Sequence, residues 1–128
     1  MTAPLWCLVV VAFLPYACAW TGAYFRQRQF GAIDNRNPRQ QQARLEGGGA
    51  RIVAAQANAW EALPFFTAAV LVSHVAGADP TRAALLAKIF VASRILHPIF
   101  YVADLAVLRS IVFLVGFAAA IGLFVISA

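Results

Sequence analysis

Charge is scarce in this sequence, and negative charge is the scarcest. Of 128 residues only 12% are charged, with five acidic side chains in all, whereas 62% are hydrophobic. Because about a quarter of the residues in soluble globular domains are charged, the composition excludes that class. The apolar residues are gathered into long runs, which predict an all-α integral membrane protein with a single four-span domain over residues 1–128.

Cysteine is also nearly missing. Cys7 and Cys18 are the two present, and both lie in the first apolar run. Their separation of eleven residues corresponds to about three helical turns, which is too far for a disulfide within one chain. No spacing typical of metal ligands occurs in the sequence, and we expect no metal site.

Four apolar segments are long enough to cross a bilayer and are predicted to pack as a four-helix bundle. They lie at about residues 5–24, 51–75, 81–101 and 105–128. Pro64 interrupts the second span and is expected to bend it. Gly116 and Gly122 allow the fourth span to approach a neighbouring helix closely.

Residues 26–50 form the one long polar connection. The Asn37-Pro38 pair, a glutamine run and the triplet Gly47–Gly49 argue against a continuous helix, and the triplet is expected to act as a hinge. Positive charge concentrates in or beside this connection, at Arg26, Arg28, Arg36, Arg39, Arg44 and Arg51. Between apolar spans such charge indicates the positive-inside rule and argues against a nucleic-acid partner. We therefore expect the 26–50 loop to be cytoplasmic and both termini outside. The compact loops and the lack of a retention signal favour a bacterial inner membrane.

The second span carries three polar side chains on one face. Arg51, Asn58 and Glu61 are separated by seven and then three residues, so a helix places them on one stripe. A carboxylate at membrane depth is costly unless it is paired or faces a polar cavity. A partner on a neighbouring helix is therefore expected. A structural polar clamp between helices is the alternative to a ligand site.

A second polar group lies at the cytoplasmic end of the third span. Arg94, His97 and Tyr101 share a helical face, and Arg109 and Ser110 open the fourth span at the same depth. Planar cations, a carboxylate and a phenol suit a small ligand that carries carboxylates and an amine. An arginine beside a thiol also favours the thiolate. Taken singly, the arginines also fit contacts with lipid phosphates, and Tyr101 an interface anchor.

On these residues the chain resembles the MAPEG family, the membrane-associated proteins in eicosanoid and glutathione metabolism. The second span reads R-x6-N-x2-E-x2-P from Arg51 to Pro64, and the third span ends R-x2-H-x3-Y from Arg94 to Tyr101. Arg109-Ser110 then follows, and the resemblance covers nearly the whole chain. The sequence is similar to bacterial-type members that resemble microsomal glutathione transferases and prostaglandin E synthases.

The resemblance implies a homotrimer of four-helix protomers that binds glutathione, as co-substrate, between neighbouring subunits. The glutathione-binding positions that it implies are Arg51, Asn58, Glu61, Arg94, His97 and Tyr101. The catalytic positions that it implies are Tyr101, Arg109 and Ser110, with Arg109 stabilising the thiolate.

The leading interpretation is a glutathione transferase or peroxidase-like enzyme of detoxification, acting on lipophilic electrophiles or lipid hydroperoxides dissolved among the membrane lipids. One position departs from the family pattern, because many members have an arginine four residues before the asparagine and this chain has Ala54. That departure favours the alternative, a non-catalytic lipid-binding or scaffold trimer. A small proton-coupled exporter using Glu61 is a third hypothesis, disfavoured because its carboxylate does not need three neighbouring arginines.

Overall fold

Short turn sequences separate the apolar runs, and each run forms one long helix. A computed structural model describes residues 1–128 and contains helices and no strands. The helices are α1 (Ala3–Phe30), α2 (Pro38–Ala43), α3 (Gly47–Val75), α4 (Pro80–Val102) and α5 (Ala106–Val125). The predicted all-α class is confirmed.

The turn between α3 and α4 shows how local sequence sets the helix ends. Gly77 takes a left-handed conformation with φ 69°, which favours glycine. Asp79 caps α4, because its carboxylate accepts a hydrogen bond from the backbone N–H of Arg82 at 2.8 Å. Pro80 opens α4, where its missing N–H interrupts no helical hydrogen bond. The two helices therefore pack against each other in opposite directions.

Three of the long helices, α1, α4 and α5, are long and apolar enough to cross a membrane. The second predicted span, α3, is not among them, although its 29 residues extend over about 43 Å. Arg51, Asn58 and Glu61 lie in its first half and lower its mean hydropathy. The chain is an integral membrane protein in which α3, the one long helix without a sufficiently apolar continuous stretch, packs against α1, α4 and α5.

Side chains from all four long helices form one apolar core. It includes the fully buried Val11, Phe66, Phe90 and Leu123. The rings of Phe66 and Phe90 stack with their centroids 4.0 Å apart, an arrangement that adds to the burial of their apolar area. This core fills the half of the bundle nearer the α3–α4 turn. The candidate site residues of α3, α4 and α5 lie in the other half.

The predicted polar loop contains two helix ends and a short helix. α1 continues to Phe30, and Gly31 ends it in a left-handed conformation with φ 76°. α3 begins at Gly47, so the expected glycine hinge was wrong, and the triplet forms the first turn of α3. A Cβ atom on Gly49 would lie only 3.2 Å from the Cβ of Phe25. Small residues are therefore needed here because α1 and α3 approach closely.

Residues 31–46, which we call the cap, close the end of the bundle beneath this contact. Gln41 is buried at 4% exposure and spans the cap. Its side chain accepts a hydrogen bond from the Asp34 backbone N–H at 3.0 Å and donates to the Ala32 carbonyl at 2.8 Å. A buried amide with both ends paired restrains the chain on either side of it.

The carboxylate of Asp34 organises the turn before α2. It accepts hydrogen bonds from the backbone N–H groups of Asn37 and Arg36 at 3.0 and 2.9 Å. These donors favour the charged form and hold the pKa of Asp34 below its usual value. The cap is thus a defined structure built from local hydrogen bonds.

Candidate functional site

The partner of Asn58 is Arg94 on the adjacent helix α4. The Arg94 Nη1 donates a hydrogen bond to Asn58 Oδ1 at 2.9 Å. Arg94 is only 5% exposed, and its guanidinium carbon lies 5.5 and 5.2 Å from the ring centroids of Phe90 and Phe113. Aromatic faces on two sides and an amide oxygen at its end are surroundings that a desolvated guanidinium favours.

Glu61 lies one turn along α3 from Asn58 and has no such partner. It is exposed, and the one ion pair in the chain involves other residues. With Asn58 and Arg94 it forms the polar side of a cavity of about 180 Å³, whose remaining walls are Ala62, Phe65, Phe90, Phe113 and Phe117. We call this the inner cavity.

One polar atom of Arg94 has no hydrogen-bond partner. The Nε of Arg94 is buried and makes no hydrogen bond. A buried donor left without an acceptor is unfavourable, and this nitrogen packs toward Gly116 of α5, while other atoms of Arg94 line the cavity. The polar groups of the cavity, one guanidinium, one amide and one carboxylate, fit a ligand that carries both an anionic group and an amine.

A second cavity, of about 360 Å³, lies beside the first and is called here the outer cavity. It is lined by Asn58, His97, Tyr101, Arg109, Ser110, Phe113 and Leu114. Since Asn58 and Phe113 line both cavities, the two are adjoining parts of one cleft between α3, α4 and α5. Five of the polar side chains singled out in the sequence therefore line one cavity.

Within the outer cavity, Arg109 rests on the ring of Tyr101. Its guanidinium carbon lies 4.4 Å from the ring centroid, which is a close cation–π contact. The same ring meets His97 edge-on, with centroids 5.6 Å apart. Tyr101 therefore orients a cation on one side and an imidazole on the other.

Ser110 begins the second turn of α5 with its hydroxyl occupied locally. The Oγ donates to the carbonyl oxygen of Ala106 at 3.0 Å. This bond within α5 leaves the oxygen lone pairs available as acceptors. Ser110 thus lies beside Arg109 at the cavity wall.

Arg51 is the one sequence-predicted site residue that lines neither cavity. Its Nε donates to the carbonyl of Val102 at 3.3 Å, and its Nη1 lies 3.7 Å from Asp104 Oδ2. Asp104 itself takes a left-handed conformation with φ 61°. Arg51 thus ties the start of α3 to the turn between α4 and α5.

The aromatic walls of the cleft were not found from the sequence. Phe113 follows Arg109 by one helical turn and Phe117 by two, and their rings are parallel with centroids 6.4 Å apart. The spacing of four residues placed both on the face of Arg109. Because nearly all residues of α5 are apolar, the spacing of these two phenylalanines does not mark one face of the helix in the sequence.

No group of three or more His, Cys, Asp and Glu side chains lies close enough together to hold a metal ion. The chain was also compared with known proteins. The model of the MAPEG family matches residues 3–128, essentially the whole chain. No curated protein and no solved structure matches it.

Proposed function

The chain belongs to the MAPEG family, and from this premise we propose that it is a membrane-embedded enzyme that activates the thiol of glutathione. Family membership supports a membrane role connected with glutathione or eicosanoid metabolism in general. The observation that carries the finer proposal is the single cleft in which Asn58, Arg94, His97, Tyr101 and Arg109 meet.

In this proposal the inner cavity holds the charged ends of the tripeptide. Arg94 lines this cavity, and its guanidinium attracts a carboxylate. Glu61 offers an acceptor to the amine, and Asn58 is held by Arg94 at the boundary with the outer cavity. His97 contributes a further hydrogen-bonding group on the outer side.

The outer cavity is then the place of the thiol. Arg109 lowers the pKa of the thiol by stabilising the thiolate. Tyr101 orients Arg109 through the ring contact, and Ser110 lies beside it at the wall. In conjugation, a carbon–sulfur bond forms as the leaving group departs with its bonding electrons, and the thiol proton passes to solvent.

The acceptor reaches this cavity from the bilayer. Phe113 and Leu114 are 37% and 62% exposed on the outer side of α5, so the cavity wall is continuous with the lipid-facing surface. Lipophilic electrophiles or lipid hydroperoxides are therefore the proposed substrates, in keeping with a role in detoxification. For a hydroperoxide, the thiolate takes one peroxide oxygen, the alcohol leaves, and a second glutathione closes the disulfide with loss of water.

A homotrimer with the site between protomers supports the same proposal. Glu61 is exposed in one protomer and has no cation within 4 Å, which is costly at membrane depth. A neighbouring copy that brings a cation or a hydrogen-bond donor to Glu61 removes this cost. We place the assembly in a bacterial inner membrane with the cap on the cytoplasmic side, as its arginines favour.

The first test is the ultraviolet difference spectrum of the detergent-solubilised protein on addition of glutathione near neutral pH. We expect a thiolate absorption that Arg109→Ala abolishes while glutathione still binds, measured by calorimetry. Arg82→Ala is the matched control, because Arg82 is an exposed arginine at the opposite end of the bundle. A thiolate absorption that survives Arg109→Ala, or equal losses of binding and absorption, would refute the assigned role.

A non-catalytic lipid-binding trimer is the second candidate, and one observation favours it. Ala54 stands where many family members have an arginine, and Arg51, one turn earlier, is engaged with Val102 and Asp104. No arginine of α3 therefore points into the cleft of this protomer. Saturating glutathione that gives no thiolate absorption, with a lipid retained in the cleft, selects this candidate.

A further inference from the structure

The cap and the adjoining end of α1 carry a cluster of arginines that the proposed reaction does not use. Arg28, Arg36, Arg39 and Arg44 are exposed and Arg26 is half-buried. The same stretch contains two carboxylates, Asp34 and Glu46. Neither pairs with an arginine, because the one ion pair of the chain joins Arg51 to Asp104. The cluster is therefore a surface of net positive charge with no ion pair among its members.

These cations are presented on a restrained surface. Gln29 of α1 donates to the Arg44 carbonyl at 2.9 Å and accepts from the Glu46 backbone N–H at 3.0 Å. Two of the guanidinium groups also rest on rings, Arg28 on Tyr24 and Arg44 on Phe30, at 5.8 and 5.5 Å from the centroids. A cation that is already held loses less conformational entropy when it binds an anion.

The surface lies at the level of the lipid headgroups. α1 has 28 residues and is about 42 Å long, which equals the thickness of a bilayer with its headgroups. Trp20 and Tyr24 are 70% and 56% exposed on α1, as aromatic residues near a membrane interface often are. Because Gln29 holds residue 46 beside the last turn of α1, the cap folds back to this level.

We propose that this surface binds the headgroups of anionic phospholipids in the leaflet around the cap. Guanidinium groups donate paired hydrogen bonds to phosphate oxygens, and basic residues next to a membrane attract anionic lipid strongly at ordinary ionic strength. A lipid partner is favoured over a soluble polyanion because the cap lies among headgroups. The inference is independent of glutathione chemistry in the cleft.

The test uses Trp20 as a local reporter in the double variant Trp6→Phe/Trp60→Phe, reconstituted in vesicles. Quenching of Trp20 by brominated phosphatidylglycerol is compared with quenching by brominated phosphatidylcholine. We expect a preference of at least about fivefold for the anionic lipid, weakened in 1 M salt because screening shortens to about 3 Å. Arg36→Gln/Arg39→Gln/Arg44→Gln should abolish the preference.

Three controls separate this surface from a general effect of charge. The corresponding triple lysine variant should retain the preference, and Arg82→Gln at the other end of the bundle should not change it. Trp6, 58% exposed near the opposite end of α1, should report no preference as sole tryptophan. Helical circular dichroism and assembly size establish that each variant is folded.

Several results overturn the proposal. These are equal quenching of Trp20 by the two lipids, a preference that survives the triple glutamine variant, or the same preference at Trp6. Added RNA that removes the preference at equimolar concentration would instead assign the surface to a soluble polyanion.

Discussion

Arg94 illustrates how this chain accommodates a cation deep in a bundle. Its guanidinium is placed between the rings of Phe90 and Phe113, and one nitrogen binds Asn58. Asn58 accepts the one hydrogen bond that the guanidinium of Arg94 makes. The pair therefore fixes the relative rotation of α3 and α4 at the boundary between the two cavities.

A double-mutant cycle measures this interaction. We expect Asn58→Ala to destabilise the protein by about 1–2 kcal/mol, because it leaves a buried cation without its acceptor. Arg94→Met should cost a similar amount, and the double variant much less than the sum. Unfolding in mixed detergent micelles gives the free energies. Strict additivity would show that the hydrogen bond contributes nothing to stability.

Tyr101 and Arg109 allow the ring contact to be separated from the phenol hydroxyl. Tyr101→Phe keeps the ring beneath the guanidinium, so the thiolate absorption with glutathione should persist. Tyr101→Ala removes the ring and should reduce the absorption at fixed glutathione about 3- to 10-fold. If Tyr101→Phe loses as much as Tyr101→Ala, the hydroxyl and not the ring carries the function.

The sequence predicted which helix faces carry the polar residues, but it did not predict which side chain each of them contacts. Periodicity placed Asn58, Arg94 and Tyr101 on facing stripes, and the structure brings these together. Arg51 shares the stripe of Asn58, yet its side chain turns to Asp104. This contact was not predicted, because a hydropathy pattern does not reveal the left-handed conformation of Asp104. The partner expected for the carboxylate of Glu61 is not found within this chain either.

Between helices, close approach is decided by the smallest residues. α4 and α5 meet where Gly116 faces Ser93, and a Cβ on Gly116 would lie 3.0 Å from the Ser93 Cβ and 3.4 Å from Arg94 Nη2. Farther along α5, a Cβ on Gly122 would lie 3.1 Å from a terminal methyl of Leu86. The Cβ of Ser93 is fixed by its own backbone, whereas the methyl of Leu86 is the end of a flexible side chain.

The two glycines therefore provide a matched pair of substitutions. Gly116→Ala should destabilise the protein by about 1–2 kcal/mol, because overpacking outweighs the gain in helix propensity. It should also weaken glutathione binding by displacing Arg94. Gly122→Ala should be neutral or slightly stabilising, because Leu86 can change rotamer. Thermal unfolding and calorimetry would contradict this account if the two variants behaved alike.

The helix ends show what a hydropathy pattern measures. The apolar run stops near Tyr24, yet α1 continues to Phe30 because its polar last turns bond within the helix and to the cap. Hydropathy marked the edge of the apolar layer and not the end of the helix. The Gly47–Gly49 triplet was wrongly predicted to be a hinge. Its glycines lie in the first turn of α3, where their small size allows close contact with Phe25.

At the scale of the whole chain, apolar and polar interiors are divided along the bundle. The aromatic and aliphatic core around Phe66 and Phe90 stabilises the half nearer the α3–α4 turn. The cleft occupies the middle and the half nearer the cap. A rigid apolar half can hold the helices at fixed angles while polar groups in the other half remain open to a ligand.

The number of crossings depends on α3, because α3 lacks the continuous apolar stretch that the other three long helices contain. A helix whose polar face is turned to a cleft and to partner helices does not need a lipid-like composition. α3 also packs along α1 and along α4, both of which qualify as spans. We therefore expect four crossings, with both termini on the side opposite the cap.

Single cysteines placed in a Cys7→Ser/Cys18→Ser background test this arrangement with a membrane-impermeant maleimide. Thr2→Cys and Ala128→Cys should be labelled from one face and Asn35→Cys, in the exposed part of the cap, from the other. If α3 did not cross, α4 and α5 would bring residue 128 to the face of the cap, and Ala128→Cys would react together with Asn35→Cys. Labelling of intact cells then tests which side the cap occupies. The excess of arginine predicts a cytoplasmic cap, so Asn35→Cys should react only after the cells are lysed.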